Sequence, residues 1–193
     1  MVITNNDFEG QRKPRGYKVA PRNRKQLRTV ASDCLELLKK EGCFKEGRVF
    51  LDTSFLLENL LFRANYQLHI VDESELTETA AFTIPEKGLL ILRSDVYDGL
   101  SENDAFSRYT VVHEFSHIVL DHAITLHRGE QLGNHEWWED SEWQANNLAA
   151  EILMPVEVIK ELGAKPILIQ AECGVSSRAA TNRIANLRTE GLL

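Results

Sequence analysis

Apolar side chains recur at helical spacing at Leu27, Val30, Ala31, Cys34, Leu37 and Leu38, and Gly42 follows as a stop. The pattern predicts a helix over roughly 23–41. Asp52 is a good N-cap ahead of FLLENLLFRAN, which predicts a second helix. The period then drops to two. YQLHIV alternates and is β-prone, and AAFTI, PEKG and LLILR read as a hairpin with its turn at Pro85–Gly88. Ser101, with Asp104 three positions on, resembles a capping signal for a helix carrying AFSRYTVVHEFSHIVLDH. The polar stretch His127–His135, with two glycines, reads as a loop. A helix over roughly 137–153 ends before Pro155, and short helical stretches separated by Gly163 and Gly174 complete the chain. The expected fold class is α+β: a mostly helical domain over 23–163 with a small β-sheet placed early. A C-terminal helical segment, 164–193, is expected to pack on it, and residues 1–22 form a flexible basic arm.

Composition narrows this little. Of 193 residues, 43% are hydrophobic and 26% charged, an ordinary balance for one globular domain. Cys34, Cys43 and Cys173 are odd in number and show no CxxC spacing, which argues against a disulfide framework and a cysteine zinc cage. No apolar run approaches membrane-spanning length, and MVITNNDFEG lacks the apolar segment of a secretory signal. A soluble, cytoplasmic protein with no membrane contact is the expectation.

Charge placement says more. Net charge is −7, yet residues 10–32 hold eight Lys/Arg and no acid. Two readings of this arm stand: contact with nucleic acid or an acidic partner, or folding back on the chain's own acidic body. The acidic remainder argues against a general nucleic-acid binder. Near the C-terminus, GVSS followed by RAATNRIANLR suggests a turn and a helix with Arg178, Arg183 and Arg188 exposed. Such a helix-turn-helix-like pair can pack, dock a protein or make weak DNA contact.

The sharpest chemical signal is His113-Glu114-Phe115-Ser116-His117, an HExxH motif within an apolar helical pattern. Four residues turn a helix by about 400°, leaving the two imidazoles about 40° and one turn apart. Both can ligate one Zn²⁺ at about 2.0–2.1 Å. Glu114, about 100° away, flanks the metal, where it can take a proton from a water that the metal activates. A third ligand is needed. Val119 and Ala123 stand where a metzincin has glycine and histidine, so that class fails. Glu136, Glu139, Asp140 and Glu142 are candidates for a ligand on a later helix. Glu142 is best, since Glu142, Ala145, Asn146, Ala149 and Leu153 share a face on which small alanines allow close approach. Asn146, one turn on, can hydrogen-bond a metal ligand from behind. His122, about 140° around the helix from His117, is a poor co-ligand with a surface, structural or substrate-facing role. Tyr97, Tyr109, His122 and Arg108 stay open as substrate or transition-state contacts. Trp137, Trp138 and Trp143 read first as core packing and second as the wall of a substrate groove.

HEFSHIVLDH followed by SEWQANNLAAEILMP resembles the ImmA/IrrE family of zinc-dependent metallopeptidases, with its HExxH and later E-x-x-A-N-x-x-A-A-x-x-L-M-P stretch. The resemblance spans roughly residues 25–193; the arm before it has no clear counterpart. It implies a zincin-like fold, one catalytic Zn²⁺ on His113, His117 and Glu142, and Glu114 as catalytic base. It also implies an intracellular protein substrate, a helix-turn-helix transcriptional repressor encoded nearby, on a mobile element or in a stress response. Two other classes are weighed against it: a zinc-bearing interaction protein that binds without proteolysis, and a DNA-binding regulator using the C-terminal helices and the arm.

Overall fold

The computed structural model describes residues 16–44, 47–122 and 134–193. The first fifteen residues of the basic arm, and His127 in the expected loop, lie outside the described residues. Helix α1 (Arg24–Lys40) starts at a capping box in which Asn23 accepts from the Gln26 amide and Gln26 reaches back to the Asn23 amide. Its stripe Leu27, Ala31, Cys34 and Leu38 is buried, and Gly42 ends it at φ +82°. Helix α2 (Thr53–Phe55), capped by Asp52, continues as a π-helix over Leu56–Leu61.

Strands β1 (Gln67–Val71), β2 (Ala81–Ile84) and β3 (Leu89–Arg93) form one sheet in the order β1-β3-β2. The expected hairpin is β2–β3, antiparallel, turning through Pro85–Lys87; β1 runs parallel to β3 on its other side. Alternation buries Ala81, Thr83, Leu90 and Leu92 on one face. Helix α3 (Ser94–Ser101), which the pattern did not predict, follows directly and buries Val96 and Leu100.

Helix α4 (Ala105–Val119) carries HExxH and packs between β2 and helix α5 (Ser141–Leu153). Ser101 is not its cap. It closes α3, and Asp104 caps α4 instead, accepting from the Ser107 amide at 2.8 Å and hydroxyl at 2.9 Å. A 3₁₀ turn over Trp137–Glu139 precedes α5, which begins only after Asp140, whose carboxylate caps it by accepting from the Trp143 amide at 2.8 Å. Ala145 and Ala149 are fully buried where α5 meets its neighbours, and α1 packs on α5 as well.

The C-terminal segment comprises α6 (Val156–Glu161), α7 (Pro166–Cys173) and α8 (Ser177–Thr189). Arg183, expected to be exposed, is buried. Its guanidinium makes a two-pronged pair with Glu151 of α5 and donates to the Met154 carbonyl at 3.1 Å. Arg28 adds to Glu151 at 3.1 Å and Glu190 at 2.7 Å, and Arg24 to Glu190 at 2.9 Å. Arg178 and Arg188 lie on the exposed side. Among the described residues no helix is long and apolar enough to cross a membrane.

The end of the arm departs from the flexible expectation. Residues 16–22 lie extended across the start of α5. The Gly16 amide donates to Asp140 Oδ2 at 2.7 Å, Tyr17 and Ser141 exchange hydrogen bonds at 3.0 Å, and the Val19 amide donates to the Glu139 carbonyl at 2.7 Å. Lys18 pairs with Glu139 at 3.5 Å. This stretch folds back on the acidic body because it finds there both carboxylates and unpaired backbone.

Candidate metal centre

Within α4 the spacing of four brings the imidazoles of His113 and His117 onto one face, with their Nε2 atoms 3.1 Å apart. The first turn of α5 delivers Glu142 opposite them: Oε2 is 3.2 Å from His113 Nε2 and Oε1 is 3.4 Å from His117 Nε2. These three residues form a group able to hold a metal ion. Four ligands placed tetrahedrally at about 2.0–2.1 Å from a zinc lie about 3.4 Å from one another. The observed separations match the edges of such a tetrahedron with its fourth corner open. Donors gathered this closely are stabilised by a positive charge among them, from a metal ion or a proton.

The three groups are strongly coupled electrostatically. Burial raises the Glu142 carboxyl, but hydrogen bonds and charge from His113 and His117 outweigh it and hold the group far below the usual carboxylate range. Burial likewise opposes charge on His113, yet the hydrogen bond to Glu142, the nearby Glu114 and Glu142 charges and Asn146 leave its pKa raised.

Glu114 lies buried beside the ligand face. Its Oε2 accepts a 2.8 Å hydrogen bond from the Thr83 hydroxyl on β2. No sequence signal near HExxH marked Thr83; only the period-two alternation with Ala81 placed it on the inner face of the sheet.

His122 sits differently from the expectation, which carried the helix through it. Helix α4 ends at Val119. Asp121 takes the left-handed conformation at φ +50°, and the Asp121 and His122 amides donate back to the Ile118 and His117 carbonyls at 3.1 and 3.0 Å. This closing turn swings the His122 ring under His117, with the two Nδ1 atoms 3.0 Å apart. The ring is buried, its Nε2 lies 3.2 Å from Gln144 Oε1, and burial together with the neighbouring His117 pushes its pKa down to about 4. Gln144, fully buried on α5, was also missed; it lies two residues from Glu142 and so points away from the ligand face.

Tyr109, one turn before His113, stacks on that ring with centroids 6.0 Å apart, and its hydroxyl donates to Asn146 Oδ1. Tyr109 thereby links Asn146 to His113. Burial, with the Glu142 charge, raises the Tyr109 phenol. Arg108 is not at the centre. It is 1% exposed, donates to the Gly174 and Cys173 carbonyls at 3.0 and 3.3 Å and stacks over Phe50 at 3.6 Å. Tyr97 donates to Glu58. Of the three tryptophans only Trp143 packs against the core. Trp137 and Trp138 are 45% and 37% exposed and meet edge-on, with Trp143 partly buried behind them.

No curated protein matches the chain. A solved structure of a Mycobacterium tuberculosis transcriptional regulator superposes with a TM-score of 0.52 at 11% identity, over 84% of this chain and 51% of that one. This chain thus spans about half that regulator's length, and the likeness is one of fold. Residues 101–185 match the family model described as IrrE N-terminal-like domain, Peptidase_M78. That segment contains α4 and α5, and so all three residues of the candidate metal group, and the match over this part of the chain supports membership of the ImmA/IrrE family.

Proposed function

We propose that the chain is a zinc-dependent endopeptidase that cleaves a specific intracellular protein, its zinc held by His113, His117 and Glu142. The observation that carries this reading is the convergence of two Nε2 atoms and a carboxylate at 3.1–3.4 Å, with a fourth glutamate-flanked corner open. When bound, the metal supplies Lewis acidity, polarising the scissile carbonyl and acidifying a water beside it. Glu114 takes the proton of the attacking water and hands it to the departing amine. Thr83 fixes which carboxylate oxygen is free to do so, since the hydroxyl already occupies Oε2. Among the described residues the outer edge of β2 has no strand partner, and an extended substrate segment laid along it passes in front of Glu114.

The family resemblance points to a helix-turn-helix transcriptional repressor encoded nearby as the substrate. Two facts favour protein docking over DNA contact for the C-terminal segment: Arg183 is consumed by Glu151, and α1's Arg24 and Arg28 by Glu190 and Glu151. The test is Glu114→Gln. Zinc content persists while cleavage of the adjacent reading frame's product stops. Undiminished cleavage refutes the mechanism, and binding without fragments by the unaltered chain refutes the peptidase assignment.

A further inference from the structure

Behind the ligand His117 lies a chain of hydrogen bonds that runs to the N-terminal arm. Gln144 Nε2 is 2.8 Å from the Ala20 carbonyl and 2.8 Å from the Trp138 carbonyl, so this end of the amide is the NH₂. Its Oε1 accordingly faces two groups, the Arg22 guanidinium at 3.2 Å and His122 Nε2 at 3.2 Å. An amide oxygen only accepts, so His122 carries its proton on Nε2 and its Nδ1 is a lone pair. That lone pair faces His117 Nδ1 at 3.0 Å, and two ring nitrogens at this distance, lying away from the metal position that His113 and Glu142 define, share one proton. The proton therefore belongs to His117 Nδ1. His117 Nε2, the atom facing His113 and Glu142, is left as a lone pair.

We infer that Arg22, Gln144 and His122 are positioning residues that lock His117 in the tautomer required of a metal ligand, and that residues 20–22 of the basic arm are thereby part of the metal centre. The inference rests on the reading that His113, His117 and Glu142 bind a divalent metal. Most metal-binding histidines have their second nitrogen held by a carboxylate, carbonyl or water, and loss of such a partner costs about 10–100-fold in metal affinity. Here the partner is a second imidazole, which can accept or donate and so fixes nothing alone. The direction is set two bonds away, by an amide that cannot flip without setting its NH₂ against Arg22 and its oxygen against two carbonyls.

The experiment uses the full ¹⁵N-labelled chain, zinc-free and zinc-loaded, with long-range ¹H–¹⁵N correlation to assign ring protonation. His122 is expected with a proton on Nε2 and an acceptor-type Nδ1 in both states, with a through-hydrogen-bond coupling between the two Nδ1 atoms. His122 protonated on Nδ1 overturns the relay, whatever the metal does. Zinc affinity, read by competition with a chromophoric chelator, is expected to fall about 10–100-fold in His122→Phe and to recover in His122→Asn, whose carbonyl accepts the same proton. Folded His122→Phe that binds zinc as tightly as the unaltered chain overturns the proposal. Arg22→Met, at a half-buried position that does not endanger folding, is expected to weaken zinc severalfold; an unchanged affinity there removes the arm from the centre. An unaltered chain that binds no zinc, yet shows the predicted His122 tautomer, defeats the zinc reading and leaves the relay standing.

Discussion

Gly174→Ala tests how α4 is anchored. Gly174 ends α7 at φ +63°, and a Cβ there would lie 2.4 Å from Phe50 Cε2 and 2.7 Å from Arg108 Nε. The left-handed conformation itself costs alanine about 1–2 kcal/mol. The methyl must also displace Arg108, which is 1% exposed and donates to the carbonyls of Cys173 and Gly174. Burial has already drawn the pKa of this guanidinium down to about 10, a sign of how little water it keeps. Losing one such charged hydrogen bond without hydration costs about 1.5–3 kcal/mol more. The sum is about 2.5–5 kcal/mol, a large share of the roughly 5–15 kcal/mol that holds a domain together. Gly191→Ala is the control, since it has φ +70° but nothing within 4 Å of the new methyl, and it should lose only about 1–2 kcal/mol. Urea unfolding followed by circular dichroism measures both. Equal midpoints for the two variants would show that Arg108 does not depend on the Gly174 junction, and the placement of α4 by α7 would fail with it.

Three further outcomes are expected. Thr83→Val removes the donor to Glu114 Oε2 and should lower turnover about 10–100-fold, from a charged hydrogen bond of about 1.5–3 kcal/mol, with zinc stoichiometry unchanged; wild-type turnover would detach Thr83 from the base. Asp140→Ala removes the α5 cap, at a cost of about 1 kcal/mol, together with the acceptor for the Gly16 amide and the partner of His135. Limited proteolysis should then cut faster between residues 16 and 22, and an unaltered cleavage rate counts against the pinned arm. Dialysis against a chelator should abolish cleavage and added zinc restore it, and activity that survives metal removal contradicts the ligand set.

How legible these features were depended on distance along the chain. His113, His117 and Glu114 share one helix, so spacing alone set their geometry. The helices with clean 3.6 periodicity, α1 and α5, were placed to within a few residues, and the β2–β3 hairpin followed from Pro85–Gly88. Helix α3 was missed because eight residues with Gly99 inside give a weak pattern. His122 was misjudged for a local reason: an angle around α4 means nothing beyond Asp121, whose left-handed backbone closes the helix. Thr83, Gln144 and Arg22 reach the centre from three separate elements, and no period within any one of them records that meeting. Arg108 stayed open as a substrate contact and Arg183 read as a surface cation because their partners, the Gly174 carbonyl and Glu151, lie 66 and 32 residues away.

The same long-range pairing explains the uneven charge of the chain. A block of eight Lys/Arg ahead of an acidic body suggests a surface offered to a polyanion. Arg24 and Arg28, two of the block's three cations within α1, meet Glu190 and Glu151, while Lys18 meets Glu139. Glu151 is nearly buried, and a buried carboxylate without a cation is costly, so Arg183 and Arg28 are requirements of that site and unavailable to phosphate. The arrangement ties α1, α5 and α8 into one unit, and α5 is the helix that carries Glu142. Lys18, Arg22, Arg24 and Arg28 of the block thus act inward: at α5's C-terminal end Arg28 neutralises Glu151, and at the N-terminal end residues 16–22 hold Asp140, Ser141 and Gln144. Glu142, at the first turn of α5, is thus fixed from both ends of its helix by residues that come before α1 or within it.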